Sequence, residues 1–187
     1  VYKWNGTSWT QLGGDINGSA GSATGSGQGT QFGWSVSLSG DGQCLAIGAP
    51  FANANDGYVG TYRWNGTSWN GTGGFNSNAG DRFGYSVSFS SNGNTLAIGA
   101  PYASNAGRTY IYESNGMGGY QLDAFWSGTV MAHSGTCVSI SSDGNTVAVS
   151  GPGFNTEYTG IFRRDPNAFN GWSQLGQDTI YCGGAIS

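Results

Sequence analysis

Charge is scarce in this 187-residue chain: six Lys and Arg and ten Asp and Glu leave only 9% of residues charged, against roughly a quarter in ordinary soluble domains. The net charge of −4 gives no attraction to nucleic acid or to an anionic membrane, so neither is expected as a partner. No run approaches the ~18 apolar residues that span a bilayer, and membrane insertion is not expected. Helical periodicity is absent throughout, and 36 glycines oppose helix at about 1 kcal/mol each relative to alanine. Three cysteines, Cys44, Cys137 and Cys182, are too few for a disulfide scaffold, and none has a partner at metal-ligand spacing. An initiator Met and an apolar signal segment are also missing, so the chain is expected to be a mature product or a fragment. Solubility is left to Ser, Thr, Asn, Gly and glycans.

What the chain does have is repetition. Phe32-Gly-Trp-Ser-Val-Ser-Leu-Ser-Gly-Asp-Gly-Gln-Cys-Leu-Ala-Ile-Gly-Ala-Pro50 returns as Phe83-Gly-Tyr-Ser-Val-Ser-Phe-Ser-Ser-Asn-Gly-Asn-Thr-Leu-Ala-Ile-Gly-Ala-Pro101, and more weakly as Thr136-Cys-Val-Ser-Ile-Ser-Ser-Asp-Gly-Asn-Thr-Val-Ala-Val-Ser-Gly-Pro152. Val36, Val87 and Val138 mark a step of 51 residues. A fixed period of this length means stacked copies of one supersecondary unit.

Each copy predicts four strands. Phe32, Trp34, Val36 and Leu38 alternate with Gly and Ser, which is strand period. Asp41-Gly42, Asn92-Gly93 and Asp143-Gly144 predict tight hairpin turns. Leu45–Ile47, Leu96–Ile98 and Val147–Val149 form a second strand, stopped by a proline that cannot donate to a ladder. Tyr58–Trp64, Thr109–Tyr112 and Tyr158–Arg164 form a third, aromatic strand. A fourth follows at Ser8–Leu12, Gly119–Leu122 and Gly171–Leu175. The first strand carries bulky residues on one face and only Ser and Gly on the other, so facing sheets can nest large against small, as propeller blades do.

The pattern Phe-Gly-x-Ser-Val-Ser, Asp-Gly, Leu-Ala-Ile-Gly-Ala-Pro resembles the FG-GAP repeat, the blade unit of integrin-α-type β-propellers, and is most similar to its calcium-free variant. The resemblance implies an all-β propeller fold, usually seven-bladed, in extracellular or cell-surface proteins. Calcium-loading members carry Asp-x-Asp-x-Asp-Gly between the first two strands. Here each turn holds one Asp at most, too few oxygens for a hard cation. No metal or other cofactor is expected.

About three and a half repeats are therefore expected in one segment, 1–187. Residues 1–31 supply the outer strands of a partial blade plus a loop; 32–82, 83–131 and 132–179 are full blades; and 180–187 begins the next inner strand. The reading adopted is a window of a longer or multi-chain propeller, the alternative being a closing blade shared by the two ends. Open blade faces need covering, so the expected partners are other copies of the chain or further blades.

Candidate sites are few. Asn5, Asn17, Asn65 and Asn70 each open an Asn-Gly-Thr/Ser sequon in an expected turn or loop, and are the candidate glycosylation sites. Cys137 and Cys182 are the candidate disulfide. Trp64 and Trp69, with Trp4, Trp9 and Trp172, recur on outer strands; they are read first as packing, and Trp64 and Trp69 are the candidates for stacking on sugar rings. His133, the only histidine, is read as a loop or packing residue, with no catalytic residue assigned. Asp81-Arg82 reads as a loop ion pair and Arg163-Arg164 as a solvated strand edge. The expected function is a non-enzymatic extracellular structural or adhesive scaffold, self-assembling into a surface fibre or appendage. The alternative is a propeller that binds glycans or surface proteins.

Overall fold

The computed structural model describes residues 1–18, 29–78, 80–128, 131–153 and 157–177. Three four-stranded antiparallel sheets follow one another, each a simple meander. The first holds β3 (Ser35–Leu38), β4 (Cys44–Ala49), β5 (Tyr58–Trp64) and β6 (Trp69–Asn76). The second holds β7 (Ser86–Phe89), β8 (Thr95–Ala100), β9 (Arg108–Ser114) and β10 (Tyr120–Ser127). The third holds β11 (Cys137–Ile140), β12 (Thr146–Pro152), β13 (Glu157–Arg164) and β14 (Trp172–Gln174). Ahead of them, β1 (Tyr2–Trp4) and β2 (Trp9–Gln11) form a hairpin that is two-stranded among the described residues. The fold is all-β, built of propeller-type blades.

Two apolar clusters lie between blades, not within them. In one, Cys44, Ala46 and Val59 of the first sheet meet Phe83, Val87, Phe89, Leu96 and Ile98 of the second. In the other, Ala97, Ile111 and Ala124 of the second meet Val138, Val147, Val149, Phe162 and Trp172 of the third. Small side chains of one blade thus receive the large ones of the next. The polar atoms repeat with the same step. Ser35 Oγ donates to the Gly84 carbonyl (2.8 Å) and Ser86 Oγ to that of Gly135 (2.9 Å). Phe89 N–H donates to Ser37 Oγ (2.9 Å) and Ile140 N–H to Ser88 Oγ (3.2 Å). The serines that looked like filler on the small face are the hydrogen-bonded seam between blades.

Three expectations need correction. The first strand begins at Ser35, not Phe32, because Gly33, Gly84 and Gly135 take φ of +95°, +84° and +88° and twist the chain ahead of it. Phe83 therefore points into the blade interface, while Trp34 and Tyr85 turn out toward the rim instead of sharing its face. The Asp-Gly pairs are not two-residue turns. Gly42, Gly93 and Gly144 N–H close on the carbonyls of Ser39, Ser90 and Ser141, and only the Gly has positive φ. Residues Ala52–Asn55 and Ala103–Asn105 form short turns in the left-handed region, with Asn53, Ala54 and Asn55 at φ of 51°, 60° and 75°. The expected inner strand at 180–187 lies outside the described residues.

Candidate functional site

The side chains with chemical potential are best read turn by turn. In the inner hairpin turns, Asp41 Oδ1 accepts Ser39 Oγ–H (2.6 Å) and Gln43 N–H (2.9 Å), while Ser39 Oγ accepts Cys44 N–H (2.9 Å). Asn92 with Ser90 and Asp143 with Ser141 repeat the arrangement. Hydrogen bonds from Ser39 and Gln43 hold the Asp41 carboxyl below its ordinary value of 3.8, and those from Ser141 and Asn145 do the same for Asp143. These carboxylates bind their own turns.

The sign of the pH dependence follows. A carboxyl whose pKa is depressed on folding stabilises the fold above its ordinary pKa, and that contribution disappears as pH falls through the folded value. Asn92 fills the same place without a charge. Asp41→Asn with Asp143→Asn should therefore flatten the acid side of the stability profile below about pH 4, the variant matching the parent in acid and falling below it at neutrality; urea midpoints across that range measure it.

The outer turns use asparagine in a parallel way. Asn5 Oδ1 accepts the N–H of Thr7 and Ser8, and Asn65 Oδ1 those of Thr67 and Ser68. Asn115 makes the same kind of turn with Met117 and Gly119 N–H, and Asn115-Gly-Met carries no sequon. The turn alone accounts for the asparagine. Asn5, Asn17, Asn65 and Asn70 are all exposed, but Asn70 lies within β6, on the outermost strand, and not in the expected turn.

Trp64 and Trp69 sit 5.5 Å apart, tilted by 49°. Trp69 Nε1–H donates to the Leu12 carbonyl (3.1 Å), and the Trp64 ring covers Gly13. Both are half-buried against the preceding segment. The corresponding pair Trp4 and Trp9, at 5.7 Å, is 50% and 68% exposed. Cys44 is buried with the Arg63 guanidinium 3.5 Å from its sulfur, and Cys137 is exposed; Cys182, the other half of the candidate disulfide, lies outside the described residues.

Sequence reasoning missed a feature on the rim. Gln31, Arg82 and His133 precede the three inner strands at 51-residue steps, each in the left-handed region with φ of 50°, 53° and 50°. Arg82 is not paired with Asp81, which instead accepts Ser77 Oγ–H (2.6 Å). Its guanidinium lies between two rings, 5.0 Å from Phe51 and 4.0 Å from Tyr102. Trp34 meets Phe51 (5.8 Å) and Tyr85 (5.4 Å), and Tyr102 meets His133 (4.9 Å). A ladder of rings with one cation thus crosses the blades at the inner-strand ends. Its signal in the sequence was the alignment of Arg82 with His133, and of Phe51 with Tyr102, across repeats.

Arg164 also departs from the solvated edge expected of it. It pairs with Glu113 and approaches Asp123 Oδ2 (3.5 Å) across the second blade interface, over the Trp172 ring (4.8 Å). Trp172 Nε1–H donates to the same Asp123 Oδ2 (3.0 Å).

Comparison with known proteins fits this architecture. The FG-GAP repeat family model matches residues 76–112. No curated protein matches the sequence. Among solved structures, a putative 6-phosphogluconolactonase from Bacteroides uniformis shares the fold at a TM-score of 0.57 and 12% identity, over 78% of this chain and 39% of that one. Sqt1 from Chaetomium thermophilum does so at 0.56 and 17%, over 80% and 36%. The chain thus spans well under half the length of these structures. The matched segment makes physical sense of its signature: Phe83 is buried between blades, and Gly84 N–H donates to the Gly99 carbonyl (3.0 Å), so the Phe-Gly and Gly-Ala-Pro elements meet. Residues 76–112 are an FG-GAP repeat, set among propeller-type blades.

Proposed function

We propose that this chain is a non-enzymatic scaffold of the extracellular space or cell surface, with its outer turns glycosylated and its blades supplying rigidity for adhesion or for assembly into a fibre. One observation carries the reading. The polar groups that recur with the repeat are engaged in holding it together: Ser39, Asp41 and their equivalents in the turns, Ser35, Ser37, Ser86 and Ser88 across the seams. Low charge with exposed sequons suits a glycan-solubilised surface, and FG-GAP repeats are typical of extracellular proteins. No helix among the described residues is long and apolar enough to cross a membrane. Mass spectrometry of protein from a secreting eukaryotic host is the test. Glycan is expected at Asn5, Asn17 or Asn65, and four unmodified sequons on a secreted product would count against the reading.

A second reading, recognition of glycans or surface proteins, is favoured by the rim ladder. Exposed Tyr102 lies against the Arg82 guanidinium, and exposed Trp34 packs on Phe51 at its other side; aromatic faces with a positive group suit acidic sugars. Binding on a glycan array that is lost with Trp34→Ala and Tyr102→Ala, but kept with Trp64→Ala, would move the assignment to this reading.

A further inference from the structure

The β1–β2 hairpin is the outer half of a blade whose inner half is absent among the described residues. Tyr2-Lys-Trp4 corresponds to Tyr62-Arg-Trp64 by register, since Trp4 faces Trp9 as Trp64 faces Trp69. Strands β5, β9 and β13 are paired on both edges, whereas among the described residues β1 pairs only with β2. Between β1 and the large-residue face of the first blade lies a groove of about 670 Å³ lined by Val1, Tyr2, Ile16, Val36, Leu38 and Ile47. Val36 is 62% exposed there, while its equivalents Val87 and Val138 are 9% and 7% exposed under the preceding blade.

The groove also presents backbone groups whose equivalents are bonded in every complete interface. Phe89 and Ile140 N–H go to a serine Oγ; the equivalent Leu38 N–H has no such partner among the described residues. Gly84 and Gly135 carbonyls accept a serine hydroxyl; the Gly33 carbonyl has none there. Trp64, Ser114 and Arg164 N–H donate to the carbonyl just after a hairpin turn, that of Gln43, Asn94 and Asn145; the equivalent group is Trp4 N–H. Ser91 and Ser142 carbonyls accept Gly40 and Ser91 N–H, and the Gly40 carbonyl is next in that series.

We infer that this groove is a docking site for one β-hairpin, the inner hairpin of an FG-GAP-type repeat. The open groups specify its chemistry. Two serines at i and i+2 on the first strand meet Gly33 C=O and Leu38 N–H. An Asp- or Asn-Gly turn places a carbonyl on Trp4 N–H. The second strand runs antiparallel to β1, with glycine where it passes the Gly33 carbonyl, since a Cβ at the equivalent Gly48 or Gly99 would overlap the carbonyl of Gly84 or Gly135. This is strand addition at an open edge, with main-chain bonds giving affinity and side-chain size giving specificity. The inference goes beyond the scaffold reading and does not depend on it.

The probe is a synthetic peptide of residues 83–101, titrated into the full chain by fluorescence anisotropy. Saturable 1:1 binding is expected, weakened at least tenfold by Val36→Asp in the chain and by Gly99→Val in the peptide. Amide exchange should slow at Trp4 and Leu38. Val36 is on the surface, so its substitution leaves the fold intact. No saturable binding, or binding indifferent to both substitutions, overturns the inference. If the free peptide self-associates, residues 83–110 fused ahead of Val1 decide the question, because Val1 corresponds to Ile111 and the strand runs on unbroken. The fusion should melt at higher temperature than the chain, and lose that gain with Val36→Asp; an unchanged melting temperature overturns the inference.

Discussion

Gly99→Val should cost about 3 kcal/mol or more, enough to remove a large part of the ~5–15 kcal/mol that ordinary domains possess. Gly99 lies on β8 against the third blade, and a Cβ there would overlap the Gly135 carbonyl oxygen and crowd Ser86 Oγ. That carbonyl is the acceptor of the Ser86 hydroxyl at 2.9 Å, so it cannot retreat without breaking the seam. The nearest atoms are Gly135 backbone, and the Ser86 hydroxyl beside them is held by its bond to the same carbonyl. Gly48→Val should behave alike against Gly84, whereas Gly14→Val, with nothing within 4 Å of its Cβ, should stay within about 0.5 kcal/mol of the parent. Urea unfolding of the three variants measures this. A Gly99→Val protein as stable as the Gly14→Val control would mean that the blades do not stack this closely.

The same close approach explains what could be read from the sequence and what could not. The 51-residue step, the four strands per repeat and the large-against-small faces were legible because they depend on periodicity and side-chain size. Four residues of β6 were not: Gly71, Thr72, Gly73 and Gly74 look like linker, yet Gly71, Gly73 and Gly74 pair with Tyr62, Thr61 and Gly60 of β5, and Thr72 is the bulge between them. Strand propensity is weak evidence when a neighbouring edge supplies the ladder. The rim position of Trp34 was illegible because alternation assumes an unbroken strand, and Gly33 with φ of +95° breaks it. Arg82 looked like the partner of Asp81 because adjacency in sequence suggests an ion pair. Its left-handed backbone aims it between Phe51 and Tyr102 instead. The serine seam was visible as a pattern but not as a function, since a hydroxyl on a small face reads the same whether it faces water or the next blade's carbonyl.

Phe83→Ala is the sharpest way to separate a closed interface from an open one. The Phe83 ring is 1% exposed and meets Tyr110 edge-on at 5.3 Å. Removing it should cost about 3–5 kcal/mol, the transfer term plus the cavity left behind, with the lost ring pair contributing within that range. Phe32 holds the identical place in the first repeat but is only half-buried, beside the groove that β1 leaves open. Its replacement by Ala should cost about 1 kcal/mol, because a ring still partly in water forfeits only part of the ~1.5–3 kcal/mol of full burial. Equal costs for the two would mean that the first blade's large face is covered as completely as the second's. Once an inner hairpin of the repeat occupies the groove, Phe32 acquires the surroundings of Phe83, so the cost of Phe32→Ala should rise toward that of Phe83→Ala in the fused chain. The rise would be measured as the difference between two unfolding midpoints, with Gly14→Val as the unchanging control.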